Sequence, residues 1–176
     1  EKPIELNDCK GIIEFKKVSF AYIKQDYVLK NISFKINQGE KVAFVGATGA
    51  GKSSIMNLLC RFYDTQKGQI TVDGINIKDV RQHDLRKNIG LVVQDIFLFS
   101  DSISNNISLN NNEISESKIK EAASIIGIGS FISKLPLGYG QNVKERGVTL
   151  SQGQRQLITF ARALAYDPKI LILDEA

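Results

Sequence analysis

Apolar and polar positions alternate at the start of the chain. In residues 11–20 the apolar positions include Ile13, Phe15, Val18 and Phe20, and Ile32-Ser33-Phe34-Lys35-Ile36 alternates without a break. A period of two marks a strand with one buried face, so residues 1–40 are expected to be antiparallel β structure. Asn37-Gln38-Gly39-Glu40 is a run of turn residues. Lys41-Val42-Ala43-Phe44-Val45 reads as a short buried strand. The period then changes: Ile55, Leu58, Leu59 and Phe62 share one face of a helix over residues 52–62. Gln69-Ile70-Thr71-Val72 and Ile75-Asn76-Ile77 flank Asp73-Gly74, a pair suited to the tight turn of a hairpin. Residues 89–93 read as a further buried strand.

The pattern is different over residues 100–166. An Asn/Ser-rich stretch, residues 105–112, leads to Ser115, an expected N-cap for a helix carrying Ile119, Ala122, Ala123 and Ile126. A short helix is expected over residues 131–135, ending at Pro136. Another starts at about Gln152, carries Leu157, Phe160, Ala161 and Leu164, and stops at Asp167-Pro168. Ile170-Leu171-Ile172-Leu173 reads as a fully buried strand.

Between the apolar segment at 41–45 and the helical pattern after it lies Gly46-Ala47-Thr48-Gly49-Ala50-Gly51-Lys52-Ser53. Strand, glycine-rich turn and helix are the setting in which this run becomes a phosphate-binding loop. Its glycines let successive N–H groups curl around a phosphate chain, and the helix N-terminus adds partial positive charge. Lys52 is expected to reach the terminal phosphates and the Ser53 hydroxyl to ligate Mg²⁺. The expected fold class is therefore α/β: a P-loop NTPase core with an N-terminal antiparallel β part and an inserted helical subdomain. Residues 1–99 are read as the β-rich part plus the P-loop core, 100–166 as the helical subdomain and 167–176 as the last strand.

Composition narrows the function classes. A net charge of +4, with no block of Lys/Arg and no basic–aromatic stripe, gives no support to nucleic acid as a partner. Cys9 and Cys60 are isolated, without metal-ligand spacing, which fits a reducing compartment. No apolar run approaches membrane-spanning length, so a span, if the protein works at a membrane, comes from another segment or chain.

Two further groups carry chemistry. Asp174 and Glu175 emerge at the C-terminal end of the apolar strand 170–173, where open α/β sheets bind ligands. Asp174 is placed to hold Mg²⁺, directly or through water, and Glu175 to polarise a water for attack on a γ-phosphate. Leu150-Ser151-Gln152-Gly153-Gln154 opens a helix. Spacing alone makes Ser151 an N-cap before a polar first turn.

Taken together, these elements resemble an ATP-binding cassette (ABC) nucleotide-binding domain, in register from about residue 12 to Ala176. Residues 150–154 match the ABC signature, with Gln152 where the commonest form has glycine, as in exporter-type members. The resemblance implies roles that composition does not. Tyr22 falls where the family stacks an aromatic on adenine, and Gly46, Thr48, Gly49, Ala50, Gly51, Lys52, Ser53 and Ser54 would bind ATP. Gln94 matches the Q-loop glutamine, which contacts Mg²⁺ or the attacking water and senses the membrane domain. Ser53, Gln94 and Asp174 would serve the metal, and Glu175, Gln94 and Lys52 catalysis. Ser151, Gln152, Gly153 and Gln154 would act on the ATP of a second nucleotide-binding domain, paired head to tail. Glu145-Arg146-Gly147 resembles the exporter X-loop, with Lys144 in place of the usual glycine. His83, upstream of Gln94, is expected to be solvated and is not the family's switch histidine.

The resemblance implies the motor domain of an ABC exporter, of multidrug or lipid type, at the cytoplasmic face of the cell (inner) membrane, with the transmembrane domain fused N-terminally. An importer ATPase subunit and a soluble, non-transport ABC ATPase are the alternatives. The switch-histidine strand and the segments after it follow the Walker B strand in this family. Without them two apolar strands lack a neighbour, and the 176 residues by themselves are expected to fold poorly and to be inactive.

Overall fold

The computed structural model describes residues 3–6, 8–23, 26–144 and 147–174. The chain divides into two compact units, Glu1–Ile89 and Gly90–Ala176.

The first unit is built on an antiparallel sheet in which β1 (Ile13–Phe20) lies between β2 (Leu29–Ile36) and β3 (Lys67–Val72), with the short β4 (Ile75–Asn76) at the far edge. The apolar pattern of β1 contains a phase slip, since Phe15 and Val18 are an odd number of residues apart. The backbone absorbs it with a bulge: Phe15 pairs with Phe34 and Val18 with Ile32, so three steps on β1 match two on β2. Lys17 takes the left-handed conformation (φ +52 is found at Asn31 across the pair, +49 at Lys17). The slip leaves Ile13, Phe15, Val18 and Phe20 all buried. On the other side, a Cβ at Gly68 would stand 2.3 Å from the Lys16 carbonyl oxygen, so β3 can pass the bulge only with glycine there.

The Asp73-Gly74 turn forms as expected, with φ of +51 and +81. Its aspartate also anchors the N-terminal segment: the carboxylate accepts N–H bonds from Lys10 (2.8 Å), Gly11 (3.3 Å) and Ile12 (2.9 Å). Burial works to raise the Asp73 pKa, but these donors together outweigh it and hold the group below its ordinary value. Helix α1 (Lys52–Leu59) is shorter than its apolar pattern: Cys60 caps it and Arg61 turns left-handed (φ +52), leaving Phe62 half exposed beneath the Arg86 guanidinium, 5.0 Å away. Helix α2 (Gln82–Lys87) follows a short 3-10 turn, Ile77–Asp79.

Residues 41–45 do not form the expected strand. They carry no regular secondary structure, Val42 and Val45 are 50% and 90% exposed, and among the described residues no strand pairs with them. Apolar composition favours a strand only when a neighbour supplies hydrogen bonds and a packing surface.

The second unit is helical around α3 (Ile103–Ser108), α4 (Glu116–Ile125), α5 (Gly129–Ile132) and α6 (Gln152–Ala165), beside a two-stranded sheet of β5 (Ile89–Val92) and β6 (Ile170–Leu173). Its core includes Ile103, Ile107, Ile119, Ala123, Ile132 and Ile158. Ser115 caps α4 as expected, accepting from the Lys118 N–H. Four details differ from the sequence pattern. Part of the Asn/Ser-rich stretch is helical: Ser102 caps α3, and Asn106 is fully buried with hydrogen bonds to both backbone groups of Phe99 (2.8 and 3.0 Å). Helix α5 begins at Gly129 and is over by Ser133, before the expected 131–135 segment ends. In α6 the deepest residues are Ile158 and Ala161, whereas Leu157, Phe160 and Leu164 are only partly buried. Strand β6 is buried on one face only, with Leu171 and Leu173 about half exposed, because its second face has no cover among the described residues.

Candidate functional site

In the first unit the glycine-rich run is an exposed loop leading into α1. Gly51 is the N-cap of that helix at φ +91, in the left-handed region. A Cβ there would stand 2.6 Å from Leu29 Cδ2, so both conformation and space call for glycine. Gly49 is also left-handed (φ +83), and the Ala50 N–H closes a turn onto the Ala47 carbonyl at 3.1 Å. Helix α1 has no side-chain cap and no acid in its first turn. Its leading N–H groups and partial positive charge are thus left to an outside acceptor. Lys52 curls back over the loop, donating from Nζ to the carbonyls of Gly46 (2.7 Å) and Ala47 (3.1 Å). Thr48 and Ser53 are exposed, and Ser54 is buried one position further along. Glycine backbone, helix start and ammonium come together in one exposed loop, which suits a polyanion such as a phosphate chain.

Tyr22 belongs to the same unit and reaches α1. Its hydroxyl lies 3.1 Å from Ser54 Oγ and accepts from Asn57 Nδ2 at 3.1 Å. Its ring meets Phe20 and Tyr63 edge-on, with centroids 4.7 and 5.0 Å apart. Neither Asn57 nor Tyr63 was legible as a site residue in the sequence. His83 is exposed, with Nδ1 3.3 Å from Asp84 Oδ1, as a solvated histidine should be. Cys60 is buried, and desolvation pushes its thiol up to about 11 despite the pull of Arg86. Cys9 and Cys60 are free of disulfides, and Cys60 is held as the unreactive thiol.

In the second unit, β5 and β6 end side by side: the Asp174 N–H donates to the Val92 carbonyl at 2.9 Å. Gln94, exposed just beyond Val92, and Asp174, partly buried, therefore belong to the same end of the sheet. Glu175, Glu145 and Arg146 lie outside the described residues. Lys144, where the resemblance leads one to expect glycine, sits at φ +56, the conformation glycine adopts without strain.

Helix α6 starts with a reciprocal cap. Ser151 Oγ accepts from the Gln154 N–H at 3.2 Å, and Gln154 Oε1 accepts from the Ser151 N–H at 2.8 Å. The spacing Ser-x-x-Gln carries this signal, but spacing suggested only a simple N-cap. Gln152 and Gly153 are exposed, and a Cβ at Gly153 would meet nothing within 4 Å. Further along α6, Arg162 is partly buried and donates to the carbonyls of Asn106 (2.7 Å) and Phe97 (3.2 Å). Burial lowers its pKa from the usual guanidinium value, with Tyr166 working the other way. Such a brace ties α6 to α3 and to the segment after Gln94, and no sequence motif announced it.

Among the described residues no group of three or more His, Cys, Asp or Glu could hold a metal, and no helix is long and apolar enough to cross a membrane. Ser53, Gln94 and Asp174 are all oxygen donors of the hard kind that Mg²⁺ prefers. Each of these side chains, Ser53 in the first unit and Gln94 and Asp174 in the second, offers the oxygen chemistry that suits a hard cation bound beside phosphates.

The family model for the ABC transporter matches residues 29–176. A probable multidrug resistance ABC transporter ATP-binding/permease protein of Bacillus subtilis, YheH, is 53% identical over 166 residues, which are 94% of this chain and 25% of the relative. An uncharacterized ABC transporter ATP-binding protein of the same organism, YknV, is 47% identical across 100% of the chain and 30% of its own length. A solved bacterial Atm1-family ABC exporter with ATP bound superposes with a TM-score of 0.89 at 40% identity, covering 98% of this chain and 30% of that one. The chain belongs to the ABC transporter family. It spans between a quarter and a third of the length of the relatives just named.

Proposed function

We propose that this chain is the ATP-hydrolysing motor of an ABC exporter, working at the cytoplasmic face of a membrane beside a transmembrane domain on the same polypeptide. The observation that carries the reading is the start of α1, a glycine-framed, uncapped helix N-terminus with Lys52 folded over it. The ATP-binding/permease name of one relative and the exporter title of the structural neighbour support a fused membrane domain and an export direction over the importer and non-transport alternatives.

In this reading the backbone from Gly46 through Thr48, Gly49, Ala50 and Gly51, with Lys52, Ser53 and Ser54, binds the phosphates, and Tyr22 receives the adenine. By the family resemblance Ser53, Gln94 and Asp174 would offer oxygens to Mg²⁺, which when bound would neutralise phosphate charge. Glu175 accepts a proton from the water that attacks the γ-phosphorus as the bond to the β–γ bridging oxygen breaks, giving ADP and inorganic phosphate. Ser151, Gln152, Gly153 and Gln154 present a capped helix start to the ATP held by a second nucleotide-binding domain in a head-to-tail pair. The bare surface at Gly153 supports that assignment: packing among the described residues does not require a glycine there, and glycine is a poorer helix residue than alanine. A closely approaching outside group accounts for keeping it.

Glu175→Gln in the whole ATP-binding/permease protein tests the chemistry. Steady-state phosphate release should fall by at least about 100-fold while MgATP still binds, because the base is lost and the phosphate site is kept. Undiminished turnover would remove Glu175 from its role.

A further inference from the structure

Three aromatic side chains and two polar ones gather where Tyr22 meets the first turns of α1. Phe20 is 1% exposed and forms the floor, while Tyr22 and Tyr63 each keep 48% of their surface open. The Tyr22 ring stands nearly perpendicular to both neighbours, at 80° to Phe20 and 89° to Tyr63. Its hydroxyl is bound by Ser54 and Asn57, which are three residues apart on α1 and so share a face.

A half-exposed tyrosine near a strand end ordinarily samples several rotamers. Here the ring has two near-perpendicular aromatic neighbours and the hydroxyl two hydrogen-bond partners, both on the helix whose first residues follow the phosphate loop. We infer that Asn57, Ser54 and Tyr63 are positioning residues that hold the Tyr22 ring at a fixed place relative to the phosphate loop, as a shelf for the base of a nucleoside triphosphate. The inference rests on the proposed role of Tyr22 as the base-stacking residue. It adds that the base shelf and the phosphate cradle are keyed to one rigid element, α1. Binding then does not have to order the ring, and the affinity gained from stacking is not spent on freezing a side chain.

The test uses two ligands with the intact ATP-binding/permease protein: MgATP, which engages the shelf, and magnesium tripolyphosphate, which engages only the phosphate loop. Dissociation constants come from calorimetry or thermal-shift titration. Asn57→Ala and Tyr63→Ala should each weaken MgATP by about 3- to 10-fold, the scale of one lost hydrogen bond or ring contact, and leave tripolyphosphate within about twofold. Tyr63→Phe keeps the ring and should bind MgATP like the parent protein; it also separates loss of the contact from a failure to fold. Tyr22→Ala is the reference for the shelf itself. If Tyr22→Ala weakens MgATP and Asn57→Ala and Tyr63→Ala do not, the positioning role is overturned and the shelf stands. If those two variants weaken both ligands equally, they disturb α1 as a whole and the positioning role is again overturned. If Tyr22→Ala leaves MgATP binding intact, the base-stacking reading itself falls.

Discussion

Two helices of this chain begin at residues assigned to phosphate, and they begin differently. Helix α1 starts at a left-handed glycine with no side-chain cap, its loop exposed and its lysine folded over the carbonyls of Gly46 and Ala47. Helix α6 starts at Ser151 with both halves of a capping box made. The first end is left for a ligand to complete, since its orphan N–H groups have no side-chain acceptor. The second satisfies itself within the chain and still presents an exposed serine and a bare glycine. That difference suits the roles proposed: one helix holds its own ATP, and the other is preformed to meet an ATP brought by a partner.

The comparison can be broken from either side. Gly51→Ala should have the largest effect on α1: a left-handed alanine and a contact with buried Leu29 together should cost roughly 1–3 kcal/mol of stability, and the distorted loop should lose MgATP binding. Paired urea melts and nucleotide titrations measure both. Ser151→Ala removes the α6 cap and should cost about 1 kcal/mol in the same melts. It should also slow ATP turnover of the intact protein without weakening MgATP binding at the α1 loop, if the two helix starts serve different ATP molecules. Gly153→Ala should give the smallest change in stability, with opposite sign. A Cβ there meets nothing among the described residues, and in the first turn of α6 exchanging glycine for alanine should add only part of the roughly 1 kcal/mol it adds in a helix interior. Turnover should nonetheless fall, because the methyl group occupies the approach to the helix start. A variant both more stable and equally active would leave the bare surface at Gly153 without the function assigned to it.

The sequence made local features legible where one residue type answers one backbone need. The Asp73-Gly74 turn, the Ser115 cap and the glycines of the phosphate loop are of this kind, and so is the apolar pattern of β1, whose phase slip becomes a bulge. What escaped depends on partners far along the chain. Asn106 looks like a loop residue until Phe99 and Arg162 surround it. Residues 41–45 are apolar enough for a strand but have no ladder partner among the described residues. Leu171 and Leu173 belong to an apolar run that packs on one face only. The candidate site divides in the same way. The loop, Asp174 and the Ser151 cap could be read from spacing, whereas the signature role of residues 150–154 came from family resemblance. Tyr22, Gln94 and the Q-loop role came only from family resemblance, and Asn57 and Tyr63 only from the contacts they make.

The most direct test of the account is the affinity of the intact protein for MgATP with Lys52 replaced by alanine. Lys52 is the one charged side chain bent over the phosphate loop among the hydrogen bonds described for it. If the open start of α1 is the phosphate site, Lys52→Ala should weaken MgATP by at least about 10-fold, the scale of one charge-assisted hydrogen bond to phosphate, with the fold intact by circular dichroism. MgATP affinity equal to that of the unsubstituted protein would contradict it.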